Sequence, residues 1–494
     1  MPKTLHRTLS KAAVVYAVLA ALLCGLCVLG LAPWKYVLPA VLAGAAAPSV
    51  LRGLDEPETP GRHARVPILW TLAVVIACAG LLFIHKGDAF LNPQFWAEDA
   101  FLFEDARNEG LNSVLQTLDR PQSRKGQTIL SQRVIAYFGQ FLPAWDAPFL
   151  YVYGALAVTL AAAAYVVNAP IAGLGPFARA LLALTIAILP TTEVYLNLIN
   201  IQWMLAVCLF VILLQDDPDT RLGRLGTLLV LLVAAFTGPF IVLLSPLFLL
   251  SAVVRRTPYS IALFAVCVPC VAWQLFRLEP TDVMTRHLRT PISALNPSWQ
   301  VLFGQNYVGH LFLGHWIAEH AVHRFWYLAL LAAVYGLLTL YAIRSRDLGV
   351  GVLVLASVVC LASSAYSYRR APEIIMMKGP EHRYYFLPSI CLVWALIVIA
   401  SRRLGKVRSL PAVAALFAVV LAAASDFVLP SAPDLCWPQR SRLLGGAEAC
   451  TIPVSPYESF KTAFFTVHYE PPPTSRGAAD SSRMQSAAAK SWKP

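Results

Sequence analysis

Apolar residues gather into long runs broken by short polar stretches, the pattern of a chain that crosses a bilayer many times. Runs of spanning or near-spanning length lie at 12–31, 36–51, 66–85, 147–167, 178–191, 196–214, 225–236, 240–254, 259–276, 326–343, 348–365, 384–400 and 409–428. A hydrocarbon core of about 30 Å takes about 20 helical residues. The pattern therefore predicts an all-α integral membrane protein with about 11–13 transmembrane helices. At Phe236-Thr237-Gly238-Pro239-Phe240 it fits either one broken helix or two tightly joined ones.

Basic residues sort the loops. Arg52, Arg62, Arg65, Arg179, Arg221, Arg224, Arg255, Arg256, Arg344, Arg346, Arg402, Arg403, Lys406 and Arg408 share one side with the N-terminus. The short turns 191–195 and 237–239 on the other side carry no Lys or Arg. The positive-inside rule makes the first side cytoplasmic. The opposite side then receives three loops, at 86–146, 277–325 and 366–383, and the polar C-terminal segment. The expected division is two added N-terminal helices in 1–65, a membrane core over 66–428, a small periplasmic segment over 429–470, and a disordered Pro-, Ser- and Ala-rich tail over 471–494.

Composition agrees with this class: 58% of the 494 residues are hydrophobic and 13% charged, more apolar surface than a soluble chain hides. The net charge of +12 comes without basic runs interleaved with stacking aromatics. It suits anionic lipid headgroups rather than nucleic acid. Lys3, Arg7 and Lys11 precede the first apolar run, which is long enough to span and ends without a clear cleavage site, so it reads as a retained helix. Cys24/Cys27 and Cys267/Cys270 have CxxC spacing but no second ligand pair, and read as small packing residues. Cys436 and Cys450 lie in the polar C-terminal segment, where a periplasmic location predicts a disulfide between them.

The candidate chemistry lies at the mouths of the spans. Phe95-Trp96-Ala97-Glu98-Asp99-Ala100 places two adjacent carboxylates just beyond a membrane run, where desolvating either is costly. The same acids also suit the first turn of a helix, because the macrodipole favours negative charge there. Residues 98–111 read as a helix with Glu98, Asp105 and Glu109 on one face and Asp99 turned away. Glu104-Asp105 is a second acid pair, either part of a site or a solvated face. Residues 127–142 read as a helix lying on the membrane, apolar along Ile129, Leu130, Val134, Ile135, Phe138, Phe141 and Leu142.

Glu193, Asn197, Asn200, Gln202 and Trp203 form a polar cluster at the outer end of two short spans, suited to holding sugar hydroxyls or to capping helices. Arg370, Lys378, His382 and Arg383, with Tyr384, form a cationic group at the outer end of a later span, where guanidinium forks grip phosphate. His287, His310, His315, His320 and His323 crowd the third loop without a convincing acid partner, and no metal site is assigned. The sequence assigns no cofactor and leaves a divalent cation open. No Walker loop, dinucleotide-binding glycine signature, GxSxG or HExxH is present.

An acidic motif in the first outer loop, many spans, and a basic motif at a later helix end resemble the GT-C superfamily of membrane glycosyltransferases. Phe-Trp-Ala-Glu-Asp-Ala, Asn-Leu-Ile-Asn-Ile-Gln-Trp, Thr-Gly-Pro-Phe and His-Arg-Tyr-Tyr-Phe-Leu-Pro are similar to blocks in bacterial polytopic proteins of GT-C-like type. The likeness covers roughly residues 66–460 and departs from the usual layout in the two spans that precede it. It implies inverting sugar transfer from a polyprenyl-phosphate-linked donor to a periplasmic glycan or lipid acceptor, in the bacterial inner membrane with a cytoplasmic N-terminus. Glu98 or Asp99 would be the general base. Arg383, with His382, Lys378 or Arg370, would hold the donor phosphate. Trp96, Trp203 and Tyr384 would stack on sugar.

Three other readings compete. A transporter or flippase for lipid-linked glycans predicts internal repeats and charges at mid-membrane depth. A glycan polymerase or ligase leans on basic rather than acidic outer residues. A non-catalytic envelope-assembly protein would carry the motifs without activity.

Overall fold

The computed structural model describes residues 66–119, 128–171, 173–189, 191, 193–277, 300–320, 324–367, 383–403, 410–425, 427–428, 434–444, 450–454 and 466–469. The expected helices at 12–31 and 36–51, the tail over 471–494, and Arg370, Lys378 and His382 lie outside the described residues.

Each predicted span from 66–85 onward corresponds to a helix. They are α1 (Ile68–His85), α6 (Ala147–Asn168), α7 (Pro176–Ile188), α8 (Ile201–Leu214), α9 (Arg221–Ala235), α10 (Phe240–Arg255), α11 (Pro258–Arg277), α13 (Arg324–Ser345), α14 (Leu348–Ser367), α15 (Arg383–Arg403) and α16 (Leu410–Ser425). Between α1 and α6 come α2 (Gly87–Leu91), α3 (Asp99–Glu109), α4 (Leu111–Asp119) and α5 (Leu130–Gly139). A π-helix (Gln300–Gly309) and α12 (His310–His320) precede α13, and α17 (Trp437–Arg440) follows α16. Among the described residues six helices, α1, α6, α11, α13, α14 and α15, are long and apolar enough to cross a membrane. The chain is thus a mainly helical membrane protein.

Helix α8 is apolar all round and buried along nearly its whole length, which makes it the central helix. Its 14 residues rise about 21 Å, less than a bilayer core. The missing depth is made up by the irregular stretch 193–200, which is also almost wholly buried. Non-helical backbone at such depth requires internal partners for its polar groups, and that requirement organises the site described below. The Phe236–Phe240 break resolves into two helices, α9 and α10, joined by a turn at Gly238.

Contacts between helix ends sort into two opposite ends. At one, Asn168 of α6 meets Thr71 of α1, residue 171 bridges to 215, and Arg402 of α15 pairs with Asp347 beside α14. At the other, Arg383 of α15 pairs with Glu193 ahead of α8, and Gln274 of α11 donates to the carbonyls of Ala235 and Gly238 in the α9–α10 turn.

A second, smaller core caps that other end. Tyr151 and Trp437 pack edge to face on Phe95 and Phe103 meets it at a tilt, with Ile452, Val454 and Val467 in the same cluster. The C-terminal segment supplies α17 and an antiparallel pair, β1 (Cys450–Pro453) and β2 (Thr466–Tyr469), an addition to the all-α expectation. Trp437 Nε1 donates to the carbonyl of Ala144 at 2.9 Å, which ties this segment to the first loop. Cys436 carries an exposed free thiol rather than the expected disulfide with Cys450. It takes the left-handed backbone conformation ahead of α17, with Sγ near the carbonyl of Asp434.

Helix α5 buries Gln132, Arg133, Ala136 and Gly139 and leaves Val134 and Phe138 exposed, as are Phe141 and Leu142 just after it, while Ile135 packs against the smaller core, so much of its apolar stripe faces away from the protein. That inversion of the usual soluble pattern fits a helix whose outer face meets lipid.

Candidate active site

A cavity of about 620 Å³ opens where the first-loop helices meet the ends of α8, α10, α14 and α15. Its volume is in the range of small-molecule sites. Glu98, Glu104, Asp105 and Arg133 of the first loop line it. Asn200, Gln202, Trp203, Arg383 and Tyr384, from the starts of α8 and α15, line it too. The remainder is largely apolar, with Phe101, Ile129, Phe240 and Leu243 contributing, while Cys360, Ser363 and Ser364 bring small side chains from the last turns of α14. One space thus runs from carboxylates and guanidinium groups into apolar helix surface, a profile that suits an amphiphile.

The two adjacent acids part company. Glu98 is half-buried and lines the cavity. Asp99 is 1% exposed. Its Oδ1 accepts from the Ile199 N–H at 2.8 Å, and its Oδ2 accepts from the N–H groups of Leu198 and Trp96, each at 3.3 Å. It serves as a clamp joining the start of α3 to the irregular stretch before α8. Of the two acids expected at the site, Glu98 lines the cavity and Asp99 does not. Burial pushes the Asp99 carboxyl up to about 7, against the three backbone N–H groups that favour the charged form.

The clamp holds strained backbone. Ala97 (φ 45°) and Leu196 (φ 59°) adopt the left-handed conformation that side chains disfavour, one on each side of Asp99's hydrogen bonds. Two non-glycine residues in this region cost roughly 1–2 kcal/mol each.

Glu193 is buried and outside the cavity lining, contrary to its expected place against substrate. Its Oε1 accepts from Arg383 Nη1 at 2.7 Å. Its carbonyl accepts from the side-chain amides of Asn197 and Asn200. Asn197 also donates to the carbonyl of Tyr195, and its Oδ1 accepts from the Asn200 N–H. Asn200 Oδ1 accepts from Trp203 Nε1 at 3.2 Å. These amides satisfy the buried stretch itself, so the capping alternative describes Asn197 fully and accounts for Asn200's side-chain polar atoms. Trp96 lies outside the cavity lining, and Lys86 Nζ sits 4.9 Å from its ring centroid and donates to the Tyr195 carbonyl at 3.2 Å. Burial pushes the Lys86 ammonium down, while Asp88, Glu193 and Asp99 hold it up.

Arg383 is the first residue of α15. A cation there opposes the helix dipole, which favours negative charge at an N-terminus. The Glu193 carboxylate and the Tyr384 ring, 5.3 Å from the guanidinium, hold it in place. Trp203 meets Tyr384 edge-on at 5.6 Å and Phe240 at 4.9 Å, giving the cavity an aromatic side.

Sequence reasoning missed Arg133, whose Nη2 donates to Asp105 at 3.0 Å and whose Nη1 donates to the Ser113 carbonyl. Its position off the apolar stripe of α5, opposite an acid-bearing helix, was the available signal. The serine pair at 363–364 inside an apolar run was the signal for the α14 contribution. Among the described residues no group of three or more His, Cys, Asp or Glu is placed to hold a metal ion. His310 and His315 meet at a tilt, 4.7 Å between ring centroids, outside the cavity lining.

No family model, no curated protein and no solved structure matches this chain.

Proposed function

We propose that this protein is a membrane glycosyltransferase of GT-C type that moves a sugar from a polyprenyl-phosphate-linked donor to a glycan or lipid acceptor of the cell envelope, on the periplasmic face of a bacterial inner membrane. The observation that carries the reading is one amphipathic cavity whose lining includes both Glu98 and Arg383. Sugar transfer from a lipid phosphate needs a base for the acceptor hydroxyl, a cation for the departing phosphate, and an apolar path for the lipid. These three elements border one space.

Glu98 takes the acceptor hydroxyl proton as the oxygen attacks the anomeric carbon, with inversion. The bond from that carbon to the phosphate oxygen breaks, and its electron pair stays with the lipid phosphate. Arg383, set against its helix dipole by Glu193, receives the negative oxygen. Preorganised charge in a poorly hydrated site supplies several kcal/mol to such a step. Asp99 acts as a positioning residue, fixing residues 198–199 beside the cavity.

The concentration of these charges at helix ends favours an interfacial enzyme over a transporter, which calls for charge at mid-membrane depth. The test is surface-glycan composition in cells carrying wild type, Glu98→Gln or Arg383→Gln at matched membrane levels. Loss of one sugar modification in both variants, with accumulation of its lipid-linked donor, is expected. An unchanged glycan profile in both removes the catalytic role.

A further inference from the structure

Gln202 differs from Asn200, the other amide that lines the cavity. Asn197 and Asn200 give their side-chain groups to the buried stretch 193–200 and to Trp203. The Gln202 carboxamide makes no hydrogen bond among the described residues, and its Oε1 is buried without a donor. A buried acceptor without a partner is costly. The carboxamide that carries it lines the cavity, and its amino group also has no protein partner among the described residues, which leaves that group available to a ligand.

The turn that follows α9 preserves the arrangement. Gly238 sits at φ +110°, and a Cβ there would lie 2.7 Å from Gln202 Oε1 and 3.0 Å from its Cβ. Only glycine gives the turn this conformation and leaves the amide its place. Gly238 is itself pinned: its N–H donates to the Thr128 carbonyl at 2.7 Å, and Gln274 donates to its carbonyl. Trp203 and Phe240, from the residues beside Gln202 and Gly238, add flat apolar surface to the same cavity.

We propose that Gln202 is the residue that reads the sugar. With its Oε1 packed toward Gly238, the carboxamide keeps two N–H donors for a ligand acceptor. A ring hydroxyl oxygen or an acetamido carbonyl supplies that acceptor, while the apolar face of the ring lies against Trp203 and Phe240. This deepens the reading of the cavity as a glycosyl site and rests on it. It assigns discrimination between sugars to Gln202, apart from the chemistry at Glu98 and Arg383.

The experiment measures binding to the full chain in nanodiscs by ligand-observed magnetic resonance, with protein-free nanodiscs as blank. The probes are butyl glucoside, butyl N-acetylglucosaminide and butyl phosphate. Gln202→Leu is expected to weaken the better-bound glycoside about tenfold, the scale of one or two lost hydrogen bonds, and to leave butyl phosphate unchanged. Gly238→Ala, with folding checked by thermal unfolding, is expected to reproduce the loss by displacing the amide. A preference for the acetamido probe that disappears in Gln202→Leu identifies that group; equal loss of both glycosides identifies the hydroxyls. Glycoside affinities unchanged by Gln202→Leu, or wild type binding neither glycoside, overturn the proposal. Glycoside binding that depends on Gln202 while butyl phosphate fails to bind would sustain the sugar reader and remove the lipid-phosphate donor.

Discussion

The two ends of the helix bundle treat arginine in opposite ways. At the end remote from the cavity, Arg255 donates to the carbonyls of Leu213 and Gln215 as α8 terminates, and Arg179 donates to the carbonyl of Ala169 as α6 terminates. Those carbonyls lack intrahelical partners, and the helix dipole favours a cation there. Arg402 adds an ion pair with Asp347. Each contact closes the bundle. At the cavity end, Arg383 sits at a helix N-terminus, where the dipole opposes it, and a buried glutamate is devoted to holding it. Arginines that follow local electrostatics stabilise the fold; one that runs against them lines the cavity, and the proposed function assigns it the donor phosphate.

The sharpest break of that contrast is at Glu193. Glu193→Leu leaves the Arg383 guanidinium largely buried without its carboxylate and is expected to cost about 3–5 kcal/mol of stability, measured by thermal unfolding in nanodiscs. The double variant Glu193→Leu with Arg383→Leu is expected to recover most of that stability while glycan modification stays lost. Recovery of both would make the pair purely structural.

Arg255→Ala tests the closed end. Removing the donor to two terminal carbonyls is expected to cost about 2 kcal/mol, with glycan composition unchanged at matched protein levels. A specific glycan defect at normal stability would erase the distinction between the ends.

A smaller effect comes from Asp99. Its folded carboxyl titrates near 7, above the ordinary value of 3.8. A group whose folded pKa is raised contributes stability that is complete below the unfolded value and is lost as pH rises through the folded one. Wild type should therefore lose stability relative to Asp99→Asn between about pH 4 and pH 7, and the difference should be flat above that. Parallel pH curves for the two proteins would place Asp99 in a less desolvated setting.

The membrane helices were legible because burial in lipid writes itself as continuous apolar runs, and α3 and α5 because their period is helical. The face shared by Glu98 and Asp105 was also readable from spacing, and both line the cavity. The fate of Asp99 was not, because its partners are backbone N–H groups of residues 198–199, which carry no side-chain signature. Asn197 and Asn200 misled for the same reason: the backbone carbonyls they satisfy are invisible in a residue string. Helix α4 was missed because it is short, and its described apolar residues Leu111 and Leu115 stand exposed rather than on a buried face. The packing of Trp437 on Phe95 joins segments more than 300 residues apart in sequence, which no local pattern encodes.

The most direct test sets the two neighbouring acids against each other: Glu98→Gln and Asp99→Asn, separately, at matched membrane expression, with surface-glycan composition as the readout. Loss of one sugar modification in Glu98→Gln, with most of it retained in Asp99→Asn, is the predicted result. Retention in Glu98→Gln with loss in Asp99→Asn would contradict the assignment of the base to the cavity-lining acid.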